Sequence, residues 1–169
     1  NRITDLSPLS GHDRLTYVNL HANDIVDLSP LAGLPHVTTL ILRFNQISDL
    51  SPLSGLTSLR ELDLGDNPLE DLSPLSSLTH LTTLCLWSSG VRDISALSGL
   101  KNLETLDADL NYICDISALS GLGNLRTLDL DNNLVSDISP LCGMTSLSFL
   151  DMENNPLPQE AYDVLIPRI

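Results

Sequence analysis

The stretch LRELDLGDNPLEDLSPLSSLTH, Leu59–His80, decides the fold. Its segment Leu62-Asp63-Leu64-Gly65 alternates apolar and polar residues, the pattern of a short strand with Leu62 and Leu64 facing inward. Asn67 follows the strand, where a side-chain amide can bond backbone groups of the turn and of a neighbouring segment. Leu69, Leu72, Leu75 and Leu78 then recur every three residues, a spacing that suits tight 3-10 turns better than a long α-helix. Ser73-Pro74 is read as the start of such a turn, with Ser as cap and Pro in first position.

The same pattern fills the chain. Asp5, Asp27, Asp49, Asp71, Asp93, Asp115 and Asp137 are each 22 residues apart, and each opens a segment of the type DLSPLSG or DISALSG. A second register holds Asn1, Asn23, Asn45, Asn67, Asn111, Asn133 and Asn155, with Ser89 as the exception. No insertion or deletion disturbs the spacing. The apolar columns are nearly pure: Ile3, Ile25, Ile47, Leu69, Val91, Ile113, Val135 and Leu157 form one, and Leu9 to Leu141 form another. One such unit cannot bury its apolar side alone, whereas stacked units bury a continuous core. The Asp at each segment start is expected to accept hydrogen bonds from turn N–H groups.

LRELDLGDNPL followed by DLSPLxxL resembles the leucine-rich repeat of the 22-residue class. It is similar to the repeats of bacterial internalins and of a phosphatase-regulating relative in eukaryotes. The resemblance covers Asn1 to about Leu157. It implies an α/β solenoid: a right-handed horseshoe arc with a parallel concave sheet of about seven strands and 3-10 turns on the convex side. It also implies protein binding without catalysis, and a secreted or cell-surface setting. Residues 1–157 are assigned to the repeats and residues 158–169 to a C-terminal capping helix, since Pro158 is followed by helix formers. At the other end the chain starts in mid-repeat, and His12 stands where Leu34, Leu56, Leu78 and Leu100 stand later. Further repeats before Asn1, or an edge packed on another chain, are the two expectations there.

Charge narrows the partners. The chain of 169 residues carries 22 Asp and Glu against 8 Lys and Arg, a net charge of -14. This excludes a nucleic-acid binder and disfavours anionic membrane surfaces. It permits a basic partner, a cation or plain solubility. No apolar run approaches the roughly 20 residues of a membrane span. Cys85, Cys114 and Cys142 are odd in number and unrelated in repeat position, so no disulfide framework is expected. The four histidines are scattered, and no phosphate loop, HExxH, CxxC or Ser-His-Asp set is present. The chain is therefore read as no enzyme, with no cofactor and no metal required.

In a solenoid the varying positions carry function. Two zones stand out on the expected concave face. The N-terminal zone offers Tyr17, Ile41, Arg43, Phe44 and Trp87, residue types that include the usual binding hot spots. Trp87 has Gly65 as its column neighbour, so a large indole can lie across a bare backbone. It is read as a binding residue, against the alternative that it only shields the sheet. The C-terminal zone stacks Asp107, Asp129 and Asp151 beside Asp109, Asp131 and Glu153. Neighbouring strands lie about 4.8 Å apart, so some of these carboxylates should answer with raised pKa values. Three readings of this zone stay open: a solvated acidic face, a docking site for a basic protein segment, and a Ca²⁺ site. Ca²⁺ is disfavoured because a flat sheet brings few ligands to one point. Ala108 takes a core place held elsewhere by Leu or Met, and Leu110 is expected to fold over and compensate.

The function read from these features is a scaffold that holds a protein partner on its concave sheet, through an aromatic N-terminal zone and an acidic C-terminal zone. The alternative is a regulatory or targeting repeat domain of a larger multidomain enzyme.

Overall fold

A computed structural model describes residues 2–158; the helix expected over 158–169 lies outside the described residues except for Pro158. Seven strands form one parallel sheet in chain order: β1 (Tyr17–Asn19), β2 (Thr39–Ile41), β3 (Glu61–Asp63), β4 (Thr83–Cys85), β5 (Thr105–Asp107), β6 (Thr127–Asp129) and β7 (Phe149–Asp151). The register is 22 residues throughout, with Tyr17 beside Thr39 and Asp129 beside Asp151. Backbone pairing runs on past each strand. Leu64 N–H donates to Cys85 at 2.9 Å, and Asp66 N–H donates to Trp87 at 2.8 Å. The chain returns through a 3-10 turn in every repeat, from Ser7–Leu9 to Ser139–Leu141. This is the leucine-rich-repeat solenoid.

The turn caps differ from expectation. Ser73 is the first residue of its turn and makes no capping bond there; Leu72 precedes the turn without a side-chain bond. The cap is Asp71, whose Oδ1 accepts the Ser73 N–H at 2.8 Å. The same bond at the same length recurs at Asp5, Asp27, Asp49, Asp93, Asp115 and Asp137. Ser73 already lies inside the turn and its hydroxyl donates to Asp71 Oδ2 at 2.6 Å, so the Asp two residues earlier takes the capping role. The bonds hold the Asp5, Asp27, Asp71, Asp115 and Asp137 carboxyls below the usual range.

The core is a single cluster from Leu6 to Met152, built from the columns the sequence sets out. An asparagine ladder closes its edge. Asn67 donates to Leu42, Leu64 and Gly65 carbonyls, and its Oδ1 accepts the Ile47 N–H at 3.0 Å. Ser89 is too short to repeat this. Its Oγ reaches Leu64 and Trp87 carbonyls, and Leu69 N–H turns to the Ser89 backbone carbonyl at 3.1 Å. The next residue, Gly90, takes a left-handed φ of 75° that favours glycine.

One backbone feature repeats with the strands. Ala22, Phe44, Asp66, Ser88, Leu110, Asn132 and Asn154 all sit at φ between 52° and 57°. Asn and Asp tolerate this left-handed region, but for Leu it costs on the order of 1 kcal/mol. The left-handed turn also directs Leu110 outward: it is 51% exposed, while Ala108 is 0% exposed. The expected compensation of Ala108 by Leu110 therefore does not occur. Leu110→Asn should raise the urea midpoint, by about 1 kcal/mol of stability. A lowered midpoint would show that Leu110 packs in a way its exposure conceals.

Candidate functional site

The outward positions of the sheet and the residues just beyond it form the candidate site. In the N-terminal zone, three side chains lock together. The Phe44 ring stands edge-on to Trp87 at 5.1 Å between centroids and edge-on to His21 at 5.3 Å. Trp87 reaches Phe44, two repeats away, by lying across Gly65. A Cβ built on Gly65 would overlap the indole Nε1 and Cε2. Gly65 is thus the residue that opens the groove for the indole. Arg43 completes the cluster: its Nε donates to His21 Nδ1 at 3.2 Å, and its Nη1 lies 3.6 Å from Asp63 Oδ2.

Of the sequence-predicted residues, Arg43, Phe44 and Trp87 belong to this cluster. Ile41 is half-buried on β2. Tyr17 stands apart on the first strand, 60% exposed, with its hydroxyl accepting a 3.3 Å bond from Asn19. His21, Asp63 and Gly65 are the residues that sequence reasoning left out of the site. The signal was present, since His21, Arg43, Gly65 and Trp87 share one repeat column.

The acidic zone stacks as expected. Asp107 pairs in register with Asp129, and Asp129 with Asp151. The two columns have different roles, however. Asp129 Oδ1 accepts the Asp131 N–H at 3.1 Å, and Asp151 Oδ1 accepts the Glu153 N–H at 3.0 Å. Asn19 and Asp63 make the same bond to His21 and Gly65. At these four positions the column therefore closes the turn at the strand exit. Asp131 binds neighbouring amides, Asn132 at 2.5 Å and Asn154 at 3.2 Å.

Burial sets the titration of these acids. It pushes the Asp107 carboxyl up to about 6, with the adjacent Asp109 and Asp129 adding to the rise. Asp107 Oδ1 is buried with no hydrogen-bond partner among the described residues. Asp129 and Asp63 are raised by burial too, against turn hydrogen bonds that lower them. Desolvation outweighs like-charge repulsion at these sites, although repulsion is the cause the sequence suggests. Between the zones, burial pushes the Cys85 thiol up to about 12, which makes it a poor nucleophile. All three cysteines are free thiols. Among the described residues, no group of three or more His, Cys, Asp or Glu is placed to hold a metal ion. Nor is any helix of the described residues long and apolar enough to cross a membrane.

The family model described as Leucine Rich repeats (2 copies) matches residues 35–77, 79–121 and 123–164. The chain is an internalin-like leucine-rich-repeat protein. Its repeats are similar to a solved internalin, inlF, from Listeria monocytogenes, at 34% identity and a TM-score of 0.90, over 91% of this chain and 46% of that one. They are similar to internalin C2 of the same organism at 33% identity and a TM-score of 0.73, over 94% of this chain and 77% of that one. The functional domain of InlJ from the same organism matches at 25% identity and a TM-score of 0.64, over 90% of this chain and 38% of that one. The repeats thus span about half the length of the inlF chain. No curated protein matches the chain.

Proposed function

We propose that this leucine-rich-repeat chain is a protein-binding scaffold whose concave sheet engages a partner, with no catalysis of its own. The observation that carries this is the Phe44–Trp87 contact across Gly65. It presents a rigid aromatic surface on the concave side, with Phe44 42% exposed. Large aromatic groups pre-ordered in this way lose little entropy on binding, which is why such residues recur as hot spots. Shielding of the sheet alone does not account for Phe44, whose ring stays exposed beside the indole.

Tyr17, Ile41 and Arg43 extend the apolar zone toward the first repeat. The acidic columns steer a partner that carries a basic segment. Asp107, Asp129 and Asp151 contribute charge while closing their turns; Asp109, Asp131 and Glu153 project one position further. The resemblance to internalins supports a secreted or cell-surface setting.

The test is a pull-down with wild type and with Trp87→Ala, followed by association kinetics on the captured partner. Trp87→Ala should weaken binding about fivefold while the fold stays intact by circular dichroism. Neutralising Asp107, Asp109, Asp129, Asp131, Asp151 and Glu153 should lower the association rate and remove its salt dependence. Equal capture by both proteins would refute the aromatic zone, and an unchanged rate would refute steering.

A further inference from the structure

A second apolar surface follows the strands in the C-terminal half. Leu110, Tyr112 and Leu134 occupy the lip where the chain leaves β5 and β6, and they are 51%, 51% and 49% exposed. Adjacent repeats lie about 4.8 Å apart, so these three form one patch. In the first four repeats the equivalent pairs are polar or small, Ala22 and Asp24, Asp66 and Pro68, Ser88 and Gly90, except at Phe44 and Gln46, where Phe44 packs on Trp87. Arg92 lies over the Tyr112 ring, 4.7 Å from its centroid, and holds it in place. Leu110 is the most informative member. It bears an exposed apolar side chain on a left-handed backbone, while Ala108 is buried in the core without it. Asn132 and Asn154 hold the same position with residues suited to it.

The lip borders the acidic zone. Leu110 directly follows Asp109, and the Asp131 carboxylate accepts from Asn132 and Asn154, which hold the place of Leu110 in the next two repeats. An occupant of this lip therefore meets apolar groups and carboxylates side by side. We propose that the lip formed by Leu110, Tyr112 and Leu134 is a second docking surface, and that its occupant is a basic amphipathic segment of a partner protein. Apolar side chains of the segment cover the lip, and its Lys or Arg side chains reach Asp109 and Asp131. Arg92 is engaged on the Tyr112 ring, and the Asp109 and Asp131 carboxylates make a basic occupant more complementary in charge than an acidic one. The proposal rests on the reading that the chain binds protein, and it does not depend on the aromatic zone around Trp87.

The test uses a labelled synthetic peptide in which Lys and Phe alternate, with a Lys/Ser peptide of equal charge as control. Binding to the whole chain is read by fluorescence anisotropy. The Lys/Phe peptide should bind at least tenfold more tightly than the control. Leu110→Asn with Leu134→Ser should weaken it at least fivefold, and Trp87→Ala should change it less than twofold. Leu110→Asn relieves backbone strain, so loss of binding there is separable from loss of folding. Equal binding of both peptides, or no effect of the lip substitutions, would overturn the proposal. Loss of peptide binding in Trp87→Ala alone would overturn it while upholding the concave site. A self-association in sedimentation that the lip substitutions abolish would make the occupant a second copy of this chain, and would overturn it as well.

Discussion

Asn111→Ala should destabilise the chain by about 3–5 kcal/mol, the largest loss expected from any single polar residue here. Asn111 is buried, and its Nδ2 donates to Leu86, Ala108 and Asp109 carbonyls at 2.9, 3.0 and 3.0 Å. Its Oδ1 accepts from Val91 N–H at 2.9 Å and Ser89 N–H at 3.2 Å. Alanine would strand several of these groups away from water, at about 1–3 kcal/mol for a fully unsatisfied one, with partial relaxation limiting the sum. The effect reaches two repeats at once, because Asn111 ties the turn of its own repeat to the one before. In a solenoid each repeat depends on its neighbours, so this loss falls on the interface between them. Asn111→Ser should cost less, since Ser89 shows how a hydroxyl retains two carbonyl contacts in the same column. Urea titration checks both, and a loss below about 1 kcal/mol for Asn111→Ala would refute the account.

Acidification from neutral pH should first stabilise the protein and then destabilise it. Asp107 is raised to about 6, and Asp63 and Asp129 are raised as well. Between that value and the unfolded value of about 4, the folded state binds protons that the unfolded state does not, so stability rises as pH falls. The five turn-capping carboxyls held below the usual range act in the opposite sense. Their contribution is present above about pH 4 and is lost as pH falls through their folded values. The stability maximum therefore lies at about pH 4–6. Asp107→Asn removes the buried charge. It should stabilise the protein at pH 7 by about 1–2 kcal/mol, discounted for solvent screening at a half-buried group. The gain should shrink at about pH 5, where the wild-type carboxyl is largely protonated. Tm values of both proteins at the two pH values check this. A variant less stable than wild type at pH 7 would show that the charged form of Asp107 is needed to close its turn.

The sites differ in how far they were legible. The Phe44, Arg43 and Trp87 zone could be marked because rare residue types stood at varying positions of a strict repeat. Its partner His21 shares their column, whereas Asp63 looks like any other surface acid until its burial and its ion pair with Arg43 are known. The acidic stack was legible from the register alone. The cause of its raised pKa values was not, since desolvation depends on what covers a carboxylate. The capping role given to Ser73 failed because it was judged from residue type, whereas its place inside the turn decides it.

By itself the sequence determined the solenoid. A 22-residue period without insertion puts each apolar column in register, and only stacking in that register buries it. The same register set which residues of neighbouring strands stand side by side. Tertiary structure alone decided three things. It set the contact of Trp87 with Phe44, where the sequence indicated only that the indole can lie across Gly65. It divided the carboxylates into turn acceptors and outward charges, through bonds to N–H groups two residues on. It also turned Leu110 outward, because a left-handed backbone at that position overrides the apolar preference of its side chain.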